Sequence, residues 1–198
     1  MKLRALFIVP GILAAGLVLA GCTTGPAEPA PATSTAPSSV AEDFNSADVM
    51  FAQMMVPHHV QAVEMSDLIL AKDDIDPRVV TLAEEIKAAQ QPEIDTLNTM
   101  LETWGMPQAA TDGMSMGHGS HMDGMMTEED MQALEAATGP DASRLFLEQM
   151  IVHHEGAVEM AQAQVDSGVN PDAVAMAQAI IDTQNSEIET MRDILLRL

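Results

Sequence analysis

The chain has a single cysteine, Cys22, in 198 residues. The folded part of the protein therefore has no internal disulfide and no cysteine thiolate to hold a metal ion. Any metal site has to be built from histidine, methionine, aspartate and glutamate. Methionine and histidine are both available, because the chain contains 17 Met and 6 His.

Positive charge is also scarce. The chain has 8 Lys and Arg against 30 Asp and Glu, which gives a formal net charge of −22 at pH 7. Such a surface repels nucleic acid and anionic lipid headgroups and raises the local concentration of cations. We therefore expect metal ions, and no nucleic acid, among the partners of the protein. Solubility alone is the other explanation of the acidity.

Residues that favour β-strands are few. The chain has four Phe, one Trp and no Tyr. No segment shows a sustained alternation of apolar and polar residues, which is the signal of a half-buried strand. The sequence therefore predicts an all-α fold.

The N-terminal segment, residues 1–21, has the layout of a secretory signal, because Lys2 and Arg4 precede an apolar stretch that ends in small residues. Its ending, Leu19-Ala20-Gly21-Cys22, resembles the lipobox of bacterial lipoproteins and implies lipidation of Cys22. An ordinary signal peptide or an uncleaved anchor helix is the alternative. Residues 22–43 are predicted to form the lipid anchor and a flexible tether. We expect the protein outside the cytoplasm, on the periplasmic or cell-surface side, attached to the membrane through lipid only.

The rest of the chain contains one phrase twice. It reads MMVPHHVQAVEM at residues 54–65 and QMIVHHEGAVEM at residues 149–160. An offset of 95 superposes His58 on His153, and further along an offset of 94 superposes Glu93 on Glu187. This repetition predicts two similar helical units related by approximate two-fold symmetry.

Each unit is predicted to be a helical hairpin, spanning residues 44–104 and 141–198. Pro follows a capping residue at Asp76-Pro77 and Asn170-Pro171, a pattern typical of helix starts. The first helices of the hairpins are predicted to be capped by Ser46 and Asp141. One hairpin alone cannot bury its apolar stripe, so we expect the two to pack into a ferritin-like four-helix bundle.

Residues 105–140 connect the hairpins as a loop and a short helix, whose start at Thr127 resembles a capping box. The loop is long for a compact bundle, and such loops are usually functional or disordered. Its methionines and histidines are predicted to capture metal at lower specificity: Met114, Met116, His118, His121, Met122, Met125 and Met126. A disordered insert with a chance bias in composition is the alternative.

Helical geometry separates the repeated phrase into two faces. One face carries the predicted metal ligands of both repeats: Met55, His58, His59, Met65, Met150, His153, His154 and Met160. Glu64 and Glu159 fall on the opposite face. Burial of paired histidines is costly unless they are hydrogen-bonded or bound to metal. A metal site and a structural hydrogen-bond network therefore both remain open.

Ligand softness favours copper as the metal. Thioethers select copper(I), and imidazole also accepts copper(II). A di-iron centre of the ferritin-like type needs Glu-x-x-His motifs, but no Glu precedes any of the four paired histidines by three residues. No catalytic triad, nucleotide-binding glycine loop or cysteine nucleophile is apparent either, so we do not expect an enzyme.

Residues 44–198 resemble the bacterial domain of unknown function 305 family, whose members carry a duplicated M-x-x-H-H-x-x-A-x-x-M phrase. Both copies match, from Met55 to Met65 and from Met150 to Met160. The resemblance implies a ferritin-like bundle exported from the cytoplasm, and some relatives, the CopM-like proteins, bind copper in the periplasm. We therefore expect copper sequestration, tolerance or transfer, with a structural or interaction module as the alternative. A homo-oligomer and a copper-handling protein partner are both left open.

Overall fold

The computed structural model describes residues 43–108 and 124–198. These ranges contain five α-helices and no strand: α1 (Ser46–Leu70), α2 (Pro77–Thr103), α3 (Glu128–Ala136), α4 (Gly139–Ser167) and α5 (Pro171–Leu195). The predicted all-α fold is confirmed. The predicted signal segment, the tether up to residue 42 and residues 109–123 lie outside the described ranges. No described helix is both long enough and apolar enough to cross a membrane.

Three of the helix starts agree with the sequence predictions. The Asp76 side chain accepts a hydrogen bond from the Arg78 N–H at the start of α2, and the Asn170 side chain accepts one from the Ala173 N–H at the start of α5. Thr127 forms the predicted capping box at the start of α3. Proline directly follows the cap in α2 and α5, where its missing N–H costs no intrahelical bond.

The caps predicted for α1 and α4 are wrong. Asn45, rather than Ser46, caps α1, because Asp48 lies three residues after Asn45 and completes a reciprocal capping box with it. From Ser46 the matching position is Val49, which has no side-chain acceptor. Helix α4 begins at Gly139, two residues before Asp141, since proline at position 140 fits the first turn of a helix.

The long helices form the predicted four-helix bundle. Helix α1 packs along α2, and α4 packs along α5, so each repeat is a hairpin. The main contact between the hairpins is made by α1 and α4, while α2 and α5 touch only slightly. The start of α1 contacts the turn after α4, so these central helices are antiparallel. Helix α3 lies across α1 and α4.

Two buried side chains at equivalent positions of the repeats tie the hairpins together. The carboxylate of Asp48 accepts hydrogen bonds of 3.2 Å from the N–H groups of Val169 and Asn170, in the turn between α4 and α5. The hydroxyl of Ser143 accepts one of 3.1 Å from the Asp76 N–H, in the turn between α1 and α2. The first helix of each hairpin therefore holds the interhelical turn of the other.

The apolar core has two parts. One cluster contains Met65 and Phe146 and is closed on one side by the fully buried Leu134 of α3. The other cluster contains Phe51 and Leu97. In each of the four long helices, a short polar segment separates the residues of one cluster from those of the other. The segments of α1 and α4 carry the paired histidines.

We predict that Asp48→Ala lowers the free energy of unfolding by at least about 3 kcal/mol, because the carboxylate accepts hydrogen bonds from the N–H groups of Asn45, Val169 and Asn170, and hydrogen bonds to an ionised acceptor contribute about 1.5–3 kcal/mol each. Ser143→Ala should lower it by about 1–2 kcal/mol, since it removes two neutral hydrogen bonds, from the Asp76 N–H and to the Gly139 carbonyl. Urea unfolding at neutral pH measures both. Asp95→Ala, at an exposed position of α2, is the control and should change stability by less than about 0.5 kcal/mol. Equal effects of Asp48→Ala and Asp95→Ala would contradict the role of Asp48.

Candidate metal centre

The four paired histidines meet at the centre of the bundle. His58, His59, His153 and His154 are all fully buried. The rings of His58 and His153, one from each repeat, have centroids 3.8 Å apart and planes inclined by 43°. The pseudo-two-fold axis therefore passes between two imidazoles that are in direct contact.

Each of the other two histidines is paired with a carboxylate. His59 Nε2 lies 2.7 Å from Glu93 Oε2, and His154 Nε2 lies 2.7 Å from Glu187 Oε2. The glutamates come from α2 and α5 and are only 24% and 15% exposed. Because a carboxylate accepts, we assign a proton to Nε2 of each ring. In the neutral tautomer this leaves the lone pair on Nδ1 of His59 and of His154.

A belt of polar residues surrounds the histidines and separates the two apolar clusters. It includes Gln90 and Gln184, which are almost completely buried. The described residues provide no hydrogen-bond partner for His59 Nδ1, His154 Nδ1, either end of the Gln90 amide, or Gln184 Oε1. A buried polar atom without a partner costs about 1–3 kcal/mol. The belt is therefore an expensive arrangement for a purely structural core.

The electrostatics of the belt favour a neutral ring at His153. Burial, reinforced by the neighbouring rings of His58, His154 and His59, holds the pKa of His153 well below its usual value of 6.5. His153 is therefore neutral at pH 7. Neutral imidazole is the form that binds metal ions.

The predicted methionine ligands lie in different places. Met55, Met65 and Met150 are fully buried. Met55 belongs to the apolar cluster that contains Phe51, and Met65 and Met150 belong to the cluster that contains Phe146, so they lie on both sides of the polar belt. Met160 is partly exposed and lines a surface groove together with Met50 and Met54. The sequence predictions do not include Met50 and Met54.

The end of the Met/His-rich loop is fixed to α1 and α4. The Met126 N–H donates to Gln61 Oε1 at 2.7 Å, and Gln61 Nε2 donates to the Met126 carbonyl at 2.9 Å. Gly124 has φ +83°, and a Cβ there would lie 2.7 Å from the Val152 carbonyl oxygen. Only glycine fits this approach to α4. The loop thus ends on the helices that carry the histidines.

Of the predicted loop donors, only Met125 and Met126 belong to the described ranges, and both are partly buried. Met126 also packs against the apolar cluster that contains Leu134. The other five donors lie outside the described residues: Met114, Met116, His118, His121 and Met122.

The donors of the belt are assembled without forming a ready coordination sphere. Across residues 43–108 and 124–198, no group of three or more His, Cys, Asp or Glu side chains has the arrangement needed to hold a metal ion. The donor chemistry nevertheless fits copper, because buried imidazoles and thioethers are the ligands that copper(I) and copper(II) accept.

The sequence predictions miss Glu93 and Glu187. The signal for them is present, since the pattern Gln-x-x-Glu-Ile begins at Gln90 and again at Gln184, with the offset of 94. Helical periodicity within α1 and α4 identifies only carboxylates on the same helices as the histidines. Of these, Glu64 and Glu159 are exposed, as predicted.

Comparison with known proteins identifies the family. The profile of the domain of unknown function family DUF305 matches residues 48–195. The chain belongs to this family. The resemblance inferred from the repeated histidine phrase is therefore confirmed for almost the whole described region. No curated protein matches the DUF305 chain significantly.

Solved DUF305 structures have the same fold. A DUF305 protein from Streptomyces coelicolor, described as a candidate secreted protein, is 33% identical with a TM-score of 0.68, over 76% of this chain and 91% of that one. A DUF305 fragment from Deinococcus radiodurans is 31% identical with a TM-score of 0.67, over 78% and 98% of the two chains. CopM in a Cu(II)-bound form is 32% identical with a TM-score of 0.64, over 76% and 96%. CopM is also solved in Cu(I)-bound, silver-bound and apo forms.

We predict that the metal-free protein loses stability as the pH falls from about 6.5 to about 5. In this window the unfolded chain protonates the histidine at position 153, whereas the folded state resists protonation because its pKa is depressed. Stability is therefore fully present above the unfolded pKa and declines below it, by up to about 1.4 kcal/mol per pH unit for one proton. Denaturant unfolding across this window measures the slope.

The matched variant for this measurement is His153→Gln. Loss of charge repulsion on acidification affects both proteins equally, so the difference between their slopes isolates the histidine. The slope should be smaller in the variant. Identical slopes would contradict the depressed pKa of His153 as a source of acid sensitivity.

Proposed function

We propose that this DUF305 protein binds copper ions in the polar belt of its bundle and sequesters them or passes them on, without catalytic turnover. The observation that carries the proposal is the symmetric pair of carboxylate–histidine contacts, His59 with Glu93 and His154 with Glu187, on either side of the touching rings of His58 and His153.

The carboxylates support this function because of how they orient the rings. A histidine that binds a metal ion commonly donates its other ring N–H to a carboxylate, which fixes the tautomer and raises the basicity of the ligating nitrogen. Glu93 and Glu187 do this for His59 and His154. The two Nδ1 atoms, buried and without a hydrogen-bond partner in the described ranges, are the nitrogens that would bind the ion.

Copper is favoured over harder ions by the surroundings of the belt. The thioethers of Met55, Met65 and Met150 are buried in the apolar clusters on either side of the belt, and thioethers select soft copper(I), whereas carboxylate and water ligands suit harder ions. CopM, which is 32% identical to this chain, has been solved with Cu(II) and also with Cu(I). Copper is here the cargo of the protein.

Uptake of copper would pass from the loop to the belt. The loop donors would capture the ion at low specificity, and the loop ends at Met126 on Gln61, two residues from His59. The strongly acidic chain, with a formal net charge of −22, would raise the local concentration of cations. Binding in the belt then requires His58 and His153 to separate, because their rings are in contact.

The proposed location is the outer side of the cytoplasmic membrane or the periplasm, with Cys22 lipidated after removal of the signal segment. A related protein from Streptomyces coelicolor is described as a candidate secreted protein. The proposed partners are metal ions and the membrane, the latter through lipid only, together with a copper-handling protein or a second copy of this chain.

A structural role of the histidines is the second candidate. It is favoured by the same contacts, because Glu93 and Glu187 hydrogen-bond His59 and His154 without a metal ion. A buried hydrogen-bond network of this kind can give a core a unique arrangement. It leaves several belt atoms without partners among the described residues, which is why we place it second.

Copper(I) titration under reducing conditions, with a competing chelator, separates the two candidates. Copper binding to the native state should raise Tm, whereas the structural role predicts an unchanged Tm. His59→Gln with His154→Gln should abolish the tightest site. Glu93→Gln with Glu187→Gln should weaken it by about 10- to 100-fold, because the donors remain but lose their orientation.

The control is Glu64→Gln with Glu159→Gln. Glu64 and Glu159 are repeated as faithfully as the histidines, but both are exposed. Their replacement removes two negative charges, as Glu93→Gln with Glu187→Gln does. Copper affinity should stay within about twofold of the original protein. Equal losses in the two glutamate pairs would assign the effect to net charge and contradict the orienting role.

Lipidation has a separate test in the native host or a bacterial expression host. The protein should fractionate with membranes and incorporate a labelled fatty acid, and Cys22→Ser should abolish both, since Cys22 is the only thiol in the chain. A labelled Cys22→Ser variant, or an unlabelled original protein, would contradict the lipid anchor.

A further inference from the structure

We infer that Met50, Met54 and Met160 form a second soft-metal site, a surface thioether site for copper(I) or silver(I). The three residues line a groove of about 300 Å³ between the start of α1 and the end of α4. This site is separate from the polar belt and does not depend on the function proposed for the histidines.

Comparison of the two repeats shows why this groove is unusual. The offset of 95 places Met50, Met54 and Met160 on Leu145, Gln149 and Met65. Two of the three thioethers thus have no counterpart in the other repeat. Simple duplication of a core does not account for them.

The equivalent groove at the other end of α1 and α4 is filled by α3. The Leu134 side chain of α3 is fully buried in the cluster that contains Met65. The Gln149 amide donates to the Asp130 carbonyl of α3 at 3.0 Å. No described helix covers the groove of Met50, Met54 and Met160, and the Met50 side chain is 60% exposed.

The position of the thioethers fits the binding of one ion. Met50 and Met54 are one helical turn apart on α1 and therefore share a face. Met160 approaches from α4 across the groove. Methionine has three rotatable side-chain bonds, so the sulfur atoms of side chains that line one groove can reorient toward a common ion.

The donor set also selects the ion. Among the described residues, none that lines the groove is charged or a histidine, so the thioethers are the metal-binding groups it offers. Thioethers bind soft monovalent ions and not hard divalent ones. They have no proton to lose near neutral pH, so binding here should not depend on pH, in contrast to binding through histidine.

Methionine-methyl NMR of the full chain, titrated with silver(I), tests the site. The methyl signals of Met50, Met54 and Met160 should shift with one common dependence on free silver(I), at pH 5.5 as at pH 7.5, within about twofold. In Met50→Leu with Met54→Leu, the midpoint of the Met160 shift should rise by at least about tenfold. Leucine is close to methionine in volume, so the packing is retained.

The control pair is Met100→Leu with Met176→Leu, two partly buried methionines that do not line the groove. This pair should leave the Met160 response unchanged, and so should His59→Gln with His154→Gln. Different silver dependences for the three signals, or an unchanged Met160 response in the Met50/Met54 variant, would overturn the site. A groove response that survives while the histidine variants leave copper affinity unchanged would contradict the proposed function alone.

Discussion

Four imidazole rings are buried in the middle of an apolar bundle and need polar or ring contacts in place of water. Much of the structure depends on how these contacts are made. His58 and His153 contact each other across the pseudo-two-fold axis. The other two rings reach carboxylates on the outer helices. These contacts need all four long helices at one level, and they divide the apolar core into two clusters. The same arrangement leaves buried atoms without partners in the described ranges, which makes the metal-free belt costly.

The duplication places residues with the same structural role at equivalent positions of the two repeats. Asp48 and Ser143 occupy equivalent positions, and each holds the interhelical turn of the opposite hairpin. Both hairpins therefore depend on each other at their ends as well as at the belt. The chemistry of the two contacts differs, because a carboxylate accepts several N–H bonds and a hydroxyl accepts one here. The two residues are therefore equivalent in position, but their hydrogen bonds differ in strength.

Other departures from symmetry lie around the contact between α1 and α4. Helix α3 covers one end of the contact between α1 and α4, and the opposite end keeps an open groove with Met50 on its rim. The Met/His-rich loop ends beside Gln61, whose equivalent in the second repeat is Gly156, and the lack of a side chain there admits Gly124. The duplicated core and the asymmetric surface therefore have different origins. The core reflects the repeat, whereas α3 and the end of the loop belong to the single segment that connects its two copies.

The sequence by itself determined the helices, most of their caps, the repeat and the family, because helical periodicity and capping are local properties of the chain. It also placed Glu64 on the exposed face, opposite the histidines. Only the tertiary structure decided that Glu93 reaches His59 and that Met160 shares a groove with Met50. Those pairings depend on the axial register and spacing of different helices, which packing of side chains fixes and which periodicity within one helix does not contain.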